Sequence, residues 1–107
     1  MNVHRPHMWV VVEITFADGS VQDSVFGGWT GGYLDSEYWR LSSGIVSVKD
    51  TGDQYEIENN SGSLYIVKKT SYGISGYPAN ALQSLIERHQ ETHKLKVLDG
   101  LPPKYLQ

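Results

Sequence analysis

The amino-acid sequence predicts an α+β fold in which an antiparallel β-meander of about five strands packs against one C-terminal helix. Three observations lead to this prediction. Apolar and polar residues alternate over most of residues 8–69, turn-forming Asp, Asn and Gly residues interrupt the alternation, and a helical apolar stripe follows residue 78. The length of 107 residues suits one domain, which we expect to span residues 1–107.

The first predicted element is a hairpin over residues 9–26, preceded by a flexible N-terminus at residues 1–7. Its strands meet at Asp18-Gly19, a dipeptide typical of a two-residue type I′ turn. Such a turn places Val12 opposite Val25. One face of the hairpin then carries Val10, Val12, Ile14, Phe16, Val21 and Val25.

Two further hairpins are predicted downstream, and they complete a meander over residues 8–69. A turn centred on Thr51-Gly52 places Val46 opposite Ile57. The next turn, rich in Asn and Ser, places Ile57 opposite Leu64. Three consecutive strands are therefore expected to share one apolar face.

The helix is predicted over residues 78–94. Pro78 suits a first helical turn, where the backbone N–H that proline lacks has no helical partner. The spacing of one helical face is followed by Leu82, Leu85, Ile86 and His89. The tail, residues 95–107, is broken by glycine and proline, so it either adds a short edge segment at residues 96–98 or lies along the surface.

The opposite face of the predicted sheet is also apolar, and one helix covers only one face. It carries Trp9, Val11, Phe26, Ile45, Tyr65 and Val67. This second face needs the long connection, a curling of the sheet toward a half-barrel, or another subunit as its cover. We favour a homodimer, the commonest oligomer, with an interface or cover on Trp9, Val11, Phe26, Tyr65 and Val67.

Composition and charge argue against several classes of function. The absence of cysteine excludes disulfides and thiolate chemistry, and it suits a cytoplasmic protein. The longest apolar run, residues 9–12, is too short to cross a membrane. A net charge of -3 argues against nucleic-acid binding, and stacking of single-stranded bases on tyrosines is a further alternative. We expect no cofactor.

The long connection between predicted strands, residues 27–44, indicates a binding site, because structureless connections of this length are uncommon unless functional. Within it, residues 35–41 form either a helical turn capped by Asp35 or an edge strand, and the alternation of residues 38–41 favours the strand. Together with the glycine-rich loop at residues 70–78, it holds Trp29, Tyr33, Tyr38, Trp39, Arg40, Tyr72 and Tyr77. Such rings, with an arginine among them, make a good recognition surface for a protein or small ligand. The alternative is that they fill the ends of the sheet.

An enzymatic function depends on other residues. His89 and His93 lie four apart on the predicted helix, a spacing at which two imidazoles share a metal ion. The segment lacks the acid position of the H-E-x-x-H motif, however. Glu56 and Glu58 lie about 7 Å apart on one side of a strand, as a glycosidase pair or as part of a solvated face. A small hydrolase or metal-dependent enzyme is therefore the alternative function.

The function we expect from the sequence is that of a non-enzymatic binding protein. A small size without catalytic motifs is typical of accessory proteins of phages and mobile gene cassettes. The tail sequence Pro102-Pro103-Lys104-Tyr105 matches the P-P-x-Y pattern that WW-type grooves read, but four residues match easily by chance.

Overall fold

The computed structural model describes residues 2–30 and 37–106. Within them lie seven β-strands, one α-helix and two short 3-10 helices. The strands are β1 (Val3–His4), β2 (Met8–Phe16), β3 (Val21–Trp29), β4 (Tyr38–Asp50), β5 (Gln54–Asn59), β6 (Leu64–Lys68) and β7 (His93–Val97). The α-helix, α1, spans Gly76–Arg88, and the 3-10 helices span Lys69–Ser71 and Pro103–Leu106. No helix in the described part of the chain is long and apolar enough to cross a membrane.

All seven strands belong to one sheet, in the order β1-β6-β5-β4-β3-β2-β7. Neighbouring strands are antiparallel except β1 and β6, which are parallel. The predicted α+β class with an antiparallel sheet is confirmed, but the sheet has seven strands rather than about five. The two additional strands are its edges: β1 forms in the N-terminus that was predicted to be flexible, and β7 pairs with β2.

The first hairpin closes through a three-residue loop rather than the predicted two-residue turn. The backbone N–H of Phe16 donates to the carbonyl of Ser20 at 2.8 Å, and the N–H of Gly19 donates to the carbonyl of Phe16 at 2.9 Å. Gly19 has φ = 87°, which the third position of such a loop requires. Asp18 stabilises the loop by accepting hydrogen bonds from the N–H and hydroxyl of Ser20.

This difference shifts the β2–β3 register by one residue, and Val12 pairs with Ser24 instead of Val25. Because side chains alternate between the faces of a sheet, a shift of one residue exchanges the faces of one strand relative to the other. Val25 therefore joins the face of Val11, while Phe26 joins the face of Val10.

The β5–β6 hairpin repeats the same change. The N–H of Asn59 donates to the carbonyl of Ser63 at 3.0 Å, and Gly62 has φ = 90°. Ile57 consequently pairs with Tyr65 rather than with Leu64. Tyr65 therefore lies on the same face as Ile57, not on the opposite one as predicted.

The β4–β5 pair differs from its prediction at both ends. Val48, not Val46, pairs with Ile57, because the turn is centred one residue further along the chain. A bulge between Ile45 and Ser47 then turns Ile45 toward the core and leaves Val46 53% exposed.

With the corrected registers, the apolar residues that were predicted to need a cover lie in one core on the concave face of the sheet, except Phe26. Its buried members are Trp9, Val11, Val25, Trp29, Ile57, Tyr65 and Val67. The indole Nε1–H of Trp9 in β2 donates to the carbonyl of Lys68 in β6 at 2.8 Å. Three strands separate β2 from β6, so in a flat sheet these strands would lie about 19 Å apart. The sheet is thus curled strongly without closing into a barrel.

The predicted interface residues are all buried within this single protomer. Their exposed fractions are 0 or 1% for Trp9, Val11, Phe26, Tyr65 and Val67. The curled sheet covers four of them, and Phe26 belongs to the other core, beneath the helix. No second subunit is therefore needed to cover this face.

The helix packs on the convex face, over Val10, Val12, Ile14 and Phe26. Its own buried anchor is Leu82, whose burial contributes about 2 kcal/mol. It approaches the sheet closely at Gly28, where an added Cβ would lie 2.8 Å from the Cβ of Pro78. The helix ends at Arg88 rather than at residue 94, because a tight turn after His89 directs the chain into β7.

Candidate functional site

Five side chains meet at the end of the concave face where β3 ends and β4 begins. We call this group the aromatic–arginine cluster, and it consists of His4, Trp29, Tyr38, Arg40 and Tyr65. Cross-strand pairing brings them together, because Trp29 pairs with Tyr38 and His4 pairs with Tyr65. Arg40 pairs with Gly27, so it shares the face of Trp29 and Tyr38.

Two stacked rings form the centre of the cluster. The ring centroids of Trp29 and Tyr38 lie 4.6 Å apart, and their planes differ by 5°. Trp29 is buried, whereas Tyr38 is 48% exposed. One face of the tyrosine ring therefore covers the indole, and the rest of the side chain is exposed to solvent.

His4 joins the stacked pair to the sheet on the other side of the cluster. Its ring lies 4.8 Å from the ring of Tyr65 and 6.5 Å from that of Trp29, the latter in an edge-to-face arrangement. The N-terminal segment is fixed nearby, since Pro6 packs closely on Gly27. A Cβ added at Gly27 would lie 3.0 Å from the Cβ of Pro6. His4 and Tyr65 were not among the predicted ligand-binding residues.

Arg40 gives the cluster a positive charge. Burial lowers the pKa of His4, and the Arg40 guanidinium lowers it further, so both favour the neutral imidazole. Burial raises the pKa of the Tyr65 phenol, while the charge of Arg40 and a hydrogen bond from it act in the opposite direction. Ion pairs within the described ranges are Lys69–Asp50 and Lys104–Asp23, and Arg40 takes part in neither.

The other predicted ligand-binding residues do not belong to this cluster. Trp39 lies on the convex face, where its ring stacks on Phe26 at 5.3 Å. Tyr77 is 50% exposed in the first turn of α1, the helix that covers the convex face. Tyr33 lies outside the described residues, as does Asp35, the cap of the alternative helical turn. The predicted strand at residues 38–41 is present, as the start of β4.

Tyr72 was predicted to contact a ligand, but its side chain is hydrogen-bonded within the sheet. Its hydroxyl donates to the carbonyl of Leu98 at 2.6 Å and accepts from the backbone N–H of Val11 at 3.0 Å. These two residues already share one ladder hydrogen bond, from Leu98 N–H to the carbonyl of Val11. The phenol therefore inserts into the β2–β7 pairing at the point where β7 ends.

The two histidines of the enzymatic alternative are not on one helix. His89 caps α1, and His93 begins β7. Their rings lie 6.0 Å apart in an edge-to-face contact, and His93 also contacts the ring of Phe16 at 5.1 Å. In residues 2–30 and 37–106, no group of three or more His, Asp or Glu side chains is placed to hold a metal ion.

A second polar cluster holds the C-terminal tail against the sheet. The buried carboxylate of Asp23 accepts a hydrogen bond from the Tyr105 hydroxyl at 2.7 Å and forms an ion pair with Lys104 at 3.2 Å. Burial raises the pKa of the Tyr105 phenol, and the hydrogen bond to Asp23 and its charge raise it further. The tyrosine of the P-P-x-Y sequence is thus engaged within the protein.

Comparisons with protein-family models, curated protein sequences and solved structures find no match to this chain. The functional argument therefore depends on the geometry of its side chains. An exposed tyrosine fixed on a buried tryptophan, beside an arginine, is the arrangement in this fold that is best suited to recognition.

Proposed function

We propose that this chain is a small binding protein whose recognition surface is the aromatic–arginine cluster. The observation that carries the proposal is the stacked Trp29–Tyr38 pair, in which the outer ring is half exposed and the inner ring is fixed in the core. Tyrosine and arginine are enriched among the residues that dominate binding energy, because each combines a large contact area with polar groups.

The cluster is also held in place before a partner arrives. Pairing of β3 with β4 positions Tyr38, and pairing of β1 with β6 positions His4. A ligand that binds here does not have to order these segments, which lowers the entropic cost of association. The partner we propose is a protein segment or small ligand that stacks on Tyr38. The proposal does not depend on a homodimer, because the apolar face that suggested one is buried within the protomer.

The chain contains three tryptophans, which makes the test specific. Trp29 lies in the cluster, Trp9 lies deeper in the concave core, and Trp39 lies on the convex face. In a screen of aromatic fragments and short peptides by ¹H–¹⁵N NMR, we expect hits to shift the indole signal of Trp29 and to leave that of Trp39 unchanged.

Two matched variants complete the experiment. Tyr38→Ala removes the exposed ring of the cluster, and Tyr77→Ala removes a similarly exposed ring in the first turn of the helix. We expect the first variant to lose binding of the hits and the second to keep it, with both retaining the circular dichroism of the parent. Hits that shift Trp39 instead, or that bind Tyr38→Ala with unchanged affinity, would overturn the proposal.

A further inference from the structure

We infer that the aromatic–arginine cluster binds an oxyanion, a carboxylate or phosphate group, carried on a planar ring that stacks on Tyr38. This inference rests on the proposed function and names the class of ligand for the same surface. It follows from three features of the cluster: the position of Arg40, its positive charge, and the exposed aromatic face beside it.

The sheet fixes the position of Arg40 relative to the rings. Tyr38 and Arg40 are separated by one residue in β4, so their side chains leave the same face about 7 Å apart. Arg40 lies opposite Gly27, on which Pro6 packs. Arg40 is therefore a neighbour of Pro6 across the sheet and of Tyr38 along its own strand, and it is exposed.

Arg40 places a positive charge at the cluster, although the chain as a whole carries a net charge of -3. Burial lowers the pKa of His4 and the nearby Arg40 lowers it further, while Arg40 counteracts the rise in the pKa of Tyr65 that burial causes. The described carboxylates that form ion pairs, Asp50 and Asp23, do so with lysines. A planar guanidinium in this setting is suited to bidentate binding of a carboxylate or phosphate.

The aromatic face determines what carries the oxyanion. The Tyr38 ring is supported from behind by Trp29 at 4.6 Å, so a planar group can stack on it without moving the support. An anion held by Arg40 would lie beside this ring, because Arg40 and Tyr38 are adjacent side chains on one face of the strand, about 7 Å apart. An aromatic acid or an aryl phosphate satisfies both contacts at once, whereas an aliphatic cation satisfies neither.

The experiment uses four probes of similar shape and different charge: benzoate, phenyl phosphate, benzyl alcohol and benzylamine. Titrations of the full chain are followed by the NMR signals of the Trp29 indole and the His4 imidazole. We expect benzoate or phenyl phosphate to shift both signals, and the neutral and cationic probes to bind at least tenfold more weakly. The anion that binds more tightly shows whether the cluster prefers a carboxylate or a phosphate.

Charge-removing variants separate a specific contact from a general attraction. Arg40→Gln should weaken binding of the better anion at least tenfold, with a partial recovery in Arg40→Lys. Lys49→Gln removes the same charge from the far end of the same strand and should leave the affinity within twofold. The bound anion should also raise the pKa of His4, which lies among Arg40, Tyr65 and Trp29.

The outcomes distinguish failure of this inference from failure of the proposed function. If Tyr38→Ala abolishes binding of a neutral or cationic probe while Arg40→Gln does not, the cluster is a binding surface and the oxyanion inference is wrong. If the anions bind with Trp29 and His4 unshifted, or equally well to Arg40→Gln, they bind elsewhere and the inference is also wrong. If none of the four probes shifts Trp29 at millimolar concentration, the inference is rejected.

Discussion

Replacing Tyr72 with phenylalanine removes one oxygen atom from the β2–β7 pairing. In the native chain that oxygen is the partner of the Val11 N–H and the Leu98 carbonyl. Val11 is fully buried, so its N–H cannot find water, whereas Leu98 is only partly buried and its carbonyl can be hydrated. An unpaired buried backbone group costs about 1 to 3 kcal/mol, so we expect Tyr72→Phe to lower the free energy of unfolding by about 2 kcal/mol.

Thermal and urea unfolding followed by far-UV circular dichroism measure this loss. For a chain of this size, about 2 kcal/mol corresponds to a fall in Tm of about 10 °C. Tyr77→Phe is the matched control, because it removes the same atom from a tyrosine that is 50% exposed. We expect that control to change the free energy of unfolding by less than about 0.5 kcal/mol.

Hydrogen exchange adds a local measurement. Amide exchange at Val11 and along β7 should accelerate in Tyr72→Phe more than exchange in β5, because the pairing that the hydroxyl completes is local. Equal stabilities of Tyr72→Phe and Tyr77→Phe, with unchanged exchange at Val11, would refute the reasoning that the phenol is a structural part of the sheet.

Three further predictions concern the helix contact, the tail and alkaline pH. Gly28→Ala should lower the free energy of unfolding by about 1 to 3 kcal/mol, because the added Cβ would lie 2.8 Å from the Cβ of Pro78. Gly100→Ala is the control for the same urea titration. It should have little effect, because an added Cβ there meets no atom within 4 Å. Tyr105→Phe should leave Asp23 with Lys104 as its remaining polar partner, and limited proteolysis should then cleave the C-terminal tail faster than in the parent chain. The pKa values of Tyr65, Tyr72 and Tyr105 are raised above the usual 10.0 in the folded chain. Their contribution to stability should therefore be fully present below pH 10 and fall above it, because these phenols ionise at lower pH in the unfolded chain than in the folded one. Urea midpoints at pH 8 and 11 test this effect. Equal midpoints at the two pH values would contradict it.

The fold class followed from the sequence because hydrophobic alternation and turn residues are local signals. The registers did not, because Asp18-Gly19 suits both a two-residue turn and the three-residue loop that the chain adopts. The turn between β5 and β6 is ambiguous in the same way, and there too the chain adopts the three-residue loop, which ends at Gly62. With these shifts corrected, Trp9, Val11, Tyr65 and Val67 still share the face opposite the helix. The curl of the sheet buries them, and this burial removes the main reason for expecting a dimer.

The members of the aromatic–arginine cluster, which we propose as the binding surface, were singled out from the sequence in part. Trp29, Tyr38 and Arg40 were identified from their clustering in the sequence, and alternation along β4 explains why Trp39 lies on the other face. His4 could not be identified, because its position depends on the parallel pairing of β1 with β6, which are distant in sequence. Short segments of this kind carry no periodic signal, so the pairing is determined by tertiary structure rather than by local preference.

The ends of the sheet affect how the protein behaves at high concentration. An unpaired strand edge recruits other chains, and long flat edges are aggregation sites. Here one outer strand has only two residues, and the other carries the exposed side chains of Lys94 and Lys96. If two copies joined antiparallel through that second strand with Leu95 at the twofold axis, Lys94 of each would face Lys96 of the other, and the repulsion would oppose the joining. The two outer strands of the described sheet are thus short or charged, which opposes edge-to-edge pairing of two copies through them.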